Sequence, residues 1–111
     1  MVRILLGKVE EVTPGHGKTF IVQGKRIIVA NMKGTLVAYE NFCPHMGGMV
    51  RYDGEKKMTC GWHGAQFQAA TGENIAGADG QKLKPMTVVV DGENLYWEKS
   101  EEKSPWADDF S

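Results

Sequence analysis

Two stretches decide how this chain folds: Cys43-Pro44-His45-Met46-Gly47-Gly48 and Cys60-Gly61-Trp62-His63-Gly64. We call them the first Cys-His loop (residues 43–48) and the second Cys-His loop (residues 60–64). They hold both cysteines of the chain and two of its three histidines, and each has glycine close behind the histidine. Two thiolates and two imidazoles are soft or borderline donors, enough to complete a metal site. We therefore predict that the two loops meet around one metal centre.

The sequence around these loops is typical of a β protein. Short β-branched and aromatic runs alternate with Gly, Asn and Asp, and no segment sustains the apolar period of a helix over several turns. The predicted strands are residues 2–6, 18–22, 26–31, 36–40, 57–59, 65–68, 86–90 and 94–97. Turn residues at Gly24 and Gly92 predict antiparallel hairpins. The expected fold class is all-β, an antiparallel sandwich or barrel whose end connections carry the site.

Composition limits the functions that the chain can have. Its 111 residues suffice for one domain, and 41% hydrophobic with 24% charged residues is typical of a globular protein. A net charge of -1 offers no broad cationic face, which argues against nucleic acid as a partner. The apolar run after Arg3 is too short for a signal peptide or membrane span, so we expect a cytoplasmic protein with no membrane span.

The strand pattern stops near the C-terminus. We expect a domain over residues 1–97 and an acidic tail over residues 98–111. Trp106 and Phe110 are four residues apart in this tail, a spacing that would place them on one side of a helical turn. A partner-docking helix and an extended tail laid against the domain are both compatible with this pattern.

The pattern CxH followed by CxxH resembles that of Rieske proteins. The resemblance extends to Tyr39-Glu40-Asn41-Phe42 before the first loop, Ala65-Gln66-Phe67 after the second, and Thr71-Gly72-Glu73. The chain thus resembles a Rieske-type 2Fe-2S ferredoxin over residues 1–97. This resemblance implies a Rieske-like antiparallel β-sandwich or barrel, with a small cluster-binding subdomain formed by the two loops.

The same resemblance implies one 2Fe-2S cluster per chain. Cys43 and Cys60 would bind one iron, and His45 and His63 would bind the other. Two imidazoles in place of two thiolates make the centre less negative and raise its potential above that of all-cysteine ferredoxins. The implied function is a soluble one-electron carrier, not an enzyme, between a reductase and a terminal oxygenase. The alternative is a Rieske-like small subunit of a larger redox enzyme such as assimilatory nitrite reductase.

Four positions differ from the respiratory members of the resembled family. Those proteins carry a disulfide whose cysteines correspond to Gly48 and Trp62 here. They also carry Ser and Tyr hydroxyls, which donate to cluster sulfurs, where this chain has Ala65 and Phe67. Without these donors the charge on the sulfurs is less stabilised, so we expect a low-potential carrier.

Other features concern the shape of the site. Only residues 46–59 separate the two ligand pairs, which predicts a short hairpin between the loops. In many members of the resembled family a proline-rich third loop covers the cluster, whereas the comparable stretch here, residues 76–80, has no proline. Gly47, Gly48, Gly61 and Gly64 can take the left-handed or strained conformations that bring backbone N–H donors close to the sulfides; the alternative is that they are ordinary turn glycines. The apolar side chains of Met46, Met49 and Trp62 would either form a docking rim or pack the loops together.

Three other interpretations are weighed against this one. Mononuclear iron oxygenases need two further histidines, but only His16 remains, in a turn with Pro14 and Gly15, where we expect it to be exposed. A structural zinc site would use the same four donors, although CxH is a tight spacing for it. A Cys-His nucleophilic enzyme would leave the second Cys-His pair without a role.

Overall fold

The computed structural model of the protein describes residues 2–42, 49–61, 64–77 and 82–99. The described residues form a short 3-10 helix, Val9–Glu11, and ten strands. The strands are β1 Val2–Lys8, β2 Gly17–Val22, β3 Lys25–Met32, β4 Thr35–Glu40, β5 Val50–Tyr52, β6 Lys57–Cys60, β7 Gln66–Gln68, β8 Asn74–Ala76, β9 Val88–Asp91 and β10 Asn94–Lys99.

These strands form three sheets in which the paired neighbours are antiparallel. The terminal sheet has the order β1-β10-β9, the central sheet β2-β3-β4, and the loop-bearing sheet β5-β6-β7-β8. The second Cys-His loop joins β6 to β7, and the first precedes β5. Both loops are therefore attached to the loop-bearing sheet.

Strand β3 explains why the sheets are layered. Ile27, Ile28, Val29 and Ala30 are all buried, so this strand buries both of its faces. The first core lies on one face and contains Ile28, Ala30, Tyr39, Val50, Met58, Cys60, Ala65, Phe67, Ala69 and Leu83. The second core lies on the other face and contains Val12, Phe20, Ile27, Val29, Ala38, Leu95 and Trp97. The central sheet thus packs between the other two sheets.

The predicted hairpin between β2 and β3 is confirmed. Gln23 has φ 49° and Gly24 has φ 78°, and two consecutive positive values are what a two-residue type I′ turn requires. Lys33 and Gly34 repeat this arrangement between β3 and β4, with φ 57° and 103°. Tight turns therefore fix the register of the central sheet.

The all-β antiparallel class is confirmed, and all eight predicted strands are present within a few residues. The sequence reading missed β5 and β8, which have three residues each. Strand β10 continues to Lys99, since Glu98 pairs with Arg3 and Lys99 with Val2. Residues 100–111 lie outside the described residues, so the division into domain and tail stays a prediction.

The second core provides a test of this layering. Leu95 is fully buried, whereas Leu5 in the neighbouring strand β1 is 54% exposed. Leu95→Ala should lower the free energy of unfolding by about 2–5 kcal/mol, because it leaves a cavity in the core. The matched change Leu5→Ala should alter it by about 0.5 kcal/mol or less in urea titrations. Equal losses for the two variants would contradict the packing of the terminal sheet on the central one.

Candidate metal centre

The second Cys-His loop begins at Cys60, the last residue of β6, and its two ends are hydrogen-bonded to each other. The Cys60 N–H donates to the Ala65 carbonyl at 2.7 Å, and the Gly64 N–H donates to the Cys60 carbonyl at 3.0 Å. Gly64 has φ 75°, as expected, since a side chain there would be strained. Gly61 is not among the residues with positive φ, so its conformation is not left-handed, and Gly47 and Gly48 lie outside the described residues. The backbone of β6 and β7 thus holds Cys60 in place.

The residues that follow the first Cys-His loop lie beside the start of the second. Val50 is opposite Cys60 in the β5–β6 ladder, and the Gly61 N–H donates to the Met49 carbonyl at 3.1 Å. The N–H groups of Gly61 and Gly64 are therefore both engaged within the protein. The Gly61 bond joins the second Cys-His loop to Met49, and the Gly64 bond lies within the second loop, so donation from these N–H groups to cluster sulfides stays a prediction.

Cys60 is buried deeply, with 1% of its surface exposed. Its neighbours in the first core include Val50, Met58 and Phe67. Burial in apolar surroundings disfavours an isolated thiolate, but a bound metal ion supplies the compensating positive charge. Among the described residues this position therefore fits a soft metal centre, and the site combines a buried sulfur donor with a loop that reaches the surface at Gly61.

Three of the four predicted ligands, Cys43, His45 and His63, lie outside the described residues. The complete ligand set therefore stays a prediction, and the described residues by themselves contain no group of three or more His, Cys, Asp or Glu side chains that could hold a metal ion. His16 is exposed, as expected, and its Nδ1 lies 3.1 Å from Thr13 Oγ1 and 3.2 Å from the Pro14 carbonyl.

Ala65 and Phe67 flank the exit of the second loop and belong to the same core as Cys60. Ala65 is 1% exposed and Phe67 is fully buried, opposite Met58 in the β6–β7 ladder. Neither side chain carries a hydroxyl. The surroundings of Cys60 at these two positions are therefore apolar, in agreement with the sequence reading.

Gly77 is a site residue that the sequence reading missed. It follows β8 with φ 90°, and a Cβ on it would lie 2.9 Å from the Ala65 Cα and 3.2 Å from the Ala65 Cβ. The backbone of the third loop thus presses directly on the second Cys-His loop. Contacts between segments twelve residues apart leave no local pattern, and the presence of Gly77 in the third loop was the available signal.

The hairpin between β5 and β6 is short, as the spacing of the ligand pairs predicted. Asp53 Oδ1 accepts hydrogen bonds from the N–H groups of Glu55, Lys56 and Lys57 at 2.7, 3.1 and 3.1 Å. Partial burial raises the pKa of Asp53, but these hydrogen bonds outweigh it and leave the pKa below its usual value. The turn is therefore tightest while this carboxylate is ionised.

Apolar side chains are exposed on both sides of the first Cys-His loop. Met49 is 42% exposed and Phe42, which the sequence reading did not single out, is 52% exposed. Met46 and Trp62, the other members of the expected rim, lie outside the described residues. The described part of the rim is thus accessible rather than packed between the loops.

Comparison with known proteins agrees with this arrangement. The sequence matches the Rieske [2Fe-2S] domain family over residues 2–95. The chain belongs to this family. Its cofactor is accordingly a Rieske-type 2Fe-2S cluster, and the structural zinc alternative is set aside.

Among curated relatives of this Rieske domain is the cytochrome b6-f complex iron-sulfur subunit of Chlorobaculum thiosulfatiphilum. It is 32% identical over 98 residues, which cover 87% of this chain but 54% of the relative. The chain thus spans about half the length of that protein. Among the described residues, no helix has the length and apolar character needed to cross a membrane.

Two solved structures share the fold. The ferredoxin of carbazole 1,9a-dioxygenase from Nocardioides aromaticivorans IC177 superposes with TM-score 0.77 and 21% identity, covering 90% of this chain and 100% of that one. A protein described as a nitrite reductase NADPH small subunit gives TM-score 0.64 and 18% identity, covering 89% and 100%. At these identities the likeness concerns the Rieske fold alone.

The contact at Gly77 can be tested against a matched glycine. Gly24 also has positive φ, but no other atom lies within 4 Å of where its Cβ would be. Gly77→Ala should cost more than about 1 kcal/mol of unfolding free energy beyond the cost of Gly24→Ala, because only Gly77 meets Ala65. Gly77→Ala should also lower the iron bound per chain, measured by colorimetric assay. Equal behaviour of the two variants would show that the third loop does not constrain the second.

Proposed function

We propose that this Rieske domain carries single electrons through a cluster held by Cys43, His45, Cys60 and His63. Cys43 and Cys60 would bind one iron and the two histidines the other. The observation that carries the proposal is the pairing of Val50 with Cys60, which brings the strand that follows the first Cys-His loop to the start of the second. The bound cluster would supply a centre that accepts and releases one electron.

The residues of the chain would have distinct tasks at this centre. Cys60 is fully buried, so its side of the site would exclude water and fix the position of the metal. The histidine ligands would lie on the solvent side and give the electron its route out. Phe42 and Met49, exposed beside the first loop, suit a weak and transient docking face for a redox partner.

We infer a carrier rather than an enzyme. An oxygenase would need a second iron on two histidines and a carboxylate, but His16 is the one histidine left, and it is exposed in a turn. The proposed partners are a reductase and a terminal oxygenase, and the fold shared with the ferredoxin of carbazole 1,9a-dioxygenase supports this choice. The cytoplasm is the proposed location, because both cysteines are assigned to iron rather than to a disulfide.

A low reduction potential is part of the proposal. Hydrogen bonds to cluster sulfurs stabilise the added electron and raise the potential. The two positions where respiratory relatives carry hydroxyls are Ala65 and Phe67, both buried and both apolar. The charge on the sulfurs therefore lacks two donors in this chain.

The potential tests this reasoning directly. We expect a midpoint nearer about -150 mV than about +300 mV in a potentiometric titration of the purified protein. The control is Ile21→Ala on the 72% exposed side chain of β2, which should leave the midpoint unchanged. A clearly positive midpoint for the unmodified chain would refute the low-potential assignment.

A second candidate function is the small subunit of a larger redox enzyme such as assimilatory nitrite reductase. It is favoured by the fold shared with the nitrite reductase small subunit and by the acidic tail with Trp106 and Phe110. In that role the tail would be an assembly element. In the carrier role it would be dispensable.

Truncation separates the two functions. Deleting residues 100–111 leaves β10 complete, since that strand ends at Lys99. For a free carrier, the truncated chain should match the full chain in sedimentation behaviour, iron content and rate of reduction by dithionite. A change in oligomeric state on truncation would instead favour the subunit role.

A further inference from the structure

Asn41 is unusual among the described residues because it is their one buried polar or charged side chain, with no exposed surface. It follows β4 directly, and one residue, Phe42, separates it from the first Cys-His loop. Its backbone N–H donates to the Arg26 carbonyl of β3 at 2.6 Å, so its main chain is fixed to the central sheet. A buried carboxamide needs partners for its donors and its acceptor.

One partner, Val50, lies on the far side of the first Cys-His loop, and the other, Thr19, lies in β2. Asn41 Oδ1 accepts a hydrogen bond from the Val50 N–H at 2.6 Å, and Asn41 Nδ2 donates to the Val50 carbonyl at 3.2 Å. Nδ2 also donates to Thr19 Oγ1 of β2 at 2.8 Å. Both amide hydrogens and the oxygen are therefore used, and the orientation of the carboxamide is determined.

The carboxamide thus pairs with the backbone of Val50 on the open edge of β5. β5 is the edge strand of the loop-bearing sheet, and Val50 lies opposite Cys60 on its paired side. On the unpaired side, Asn41 exchanges two hydrogen bonds with Val50 as a neighbouring strand would. The two ends of residues 42–49 are consequently joined at the base of the first Cys-His loop.

We propose that Asn41 is a positioning residue for the first Cys-His loop: it joins the segments that flank this loop and fixes Val50 beside Cys60. It touches no cluster atom in this account and acts through the loop alone. The inference rests on the proposed ligand set, since Cys43 and His45 lie between the two joined ends. Loss of the carboxamide would leave both polar groups of the Val50 backbone without a partner in a buried place.

Tyr39 provides a matched control. Its hydroxyl donates to the Ala69 carbonyl at 2.7 Å, a buried hydrogen bond that joins β4 to the turn after β7. Burial raises the pKa of Tyr39, so this hydroxyl stays a donor at neutral pH. Tyr39→Phe therefore removes a bond of the same kind, away from the first Cys-His loop, whereas Asn41→Leu removes the three bonds of the carboxamide at similar volume.

The test compares these variants in the purified full chain. Asn41→Leu should release iron to a chelator about tenfold faster or more, broaden the electron paramagnetic resonance signal of the reduced protein and speed hydrogen exchange in a peptide spanning residues 41–52. Tyr39→Phe should leave all three close to those of the unmodified chain. If Asn41→Leu does not fold, Thr19→Val, which removes only the bond to Thr19 Oγ1, should still accelerate exchange over residues 41–52.

The outcomes separate this inference from the proposed function. A chain that contains no iron as purified contradicts the proposed function, while the exchange comparison still decides whether Asn41 closes the loop. A chain that contains the cluster but loses iron equally fast in Asn41→Leu and Tyr39→Phe overturns the inference. Unchanged exchange over residues 41–52 in Asn41→Leu overturns it as well.

Discussion

The burial of Cys60 is the constraint on which the site depends. This residue ends β6 and is at the same time part of the core between the central and loop-bearing sheets, with Ile28 and Tyr39 contributed from the central one. Protein interiors are densely packed, so the sulfur cannot shift without moving its neighbours. A ligand in such a place takes its position from the packing of two sheets rather than from a mobile loop. Preorganisation of this kind keeps a metal site in one geometry.

The two Cys-His loops reach that position in different ways. The second is held locally, because it is a turn between two paired strands and its closing bonds lie within Cys60–Ala65. The first lies between two different sheets: the Asn41 N–H before it bonds to β3, and the Asn41 carboxamide bonds to Val50 after it. Gly77 packs closely against Ala65, the residue that follows the second loop, and so restricts how far this segment can move. Asn41 and Gly77 therefore constrain the two segments that flank Cys60 in space, Val50 in β5 and Ala65 before β7.

Much of the fold could be read from the sequence, because β-branched runs and tight turns are local signals. Residues 27–30 form a continuous apolar run, and all four are buried. A run of this kind indicates a strand that is covered on both faces, which is the position of β3. Strands β5 and β8 were missed, since three residues carry no measurable alternation. The pairs Asn41–Val50 and Gly77–Ala65 were missed for another reason: their partners are nine and twelve residues away, and only the folded chain brings them together.

The central claim is that two histidine imidazoles and two cysteine thiolates of this chain hold a 2Fe-2S cluster. Electron paramagnetic resonance of the dithionite-reduced protein, with resolution of nitrogen couplings, tests it most directly. We predict a reduced-cluster signal with couplings from two imidazole nitrogens, which disappear when His45 and His63 are replaced. A colourless protein loaded with zinc, or an iron signal without imidazole coupling, would contradict it.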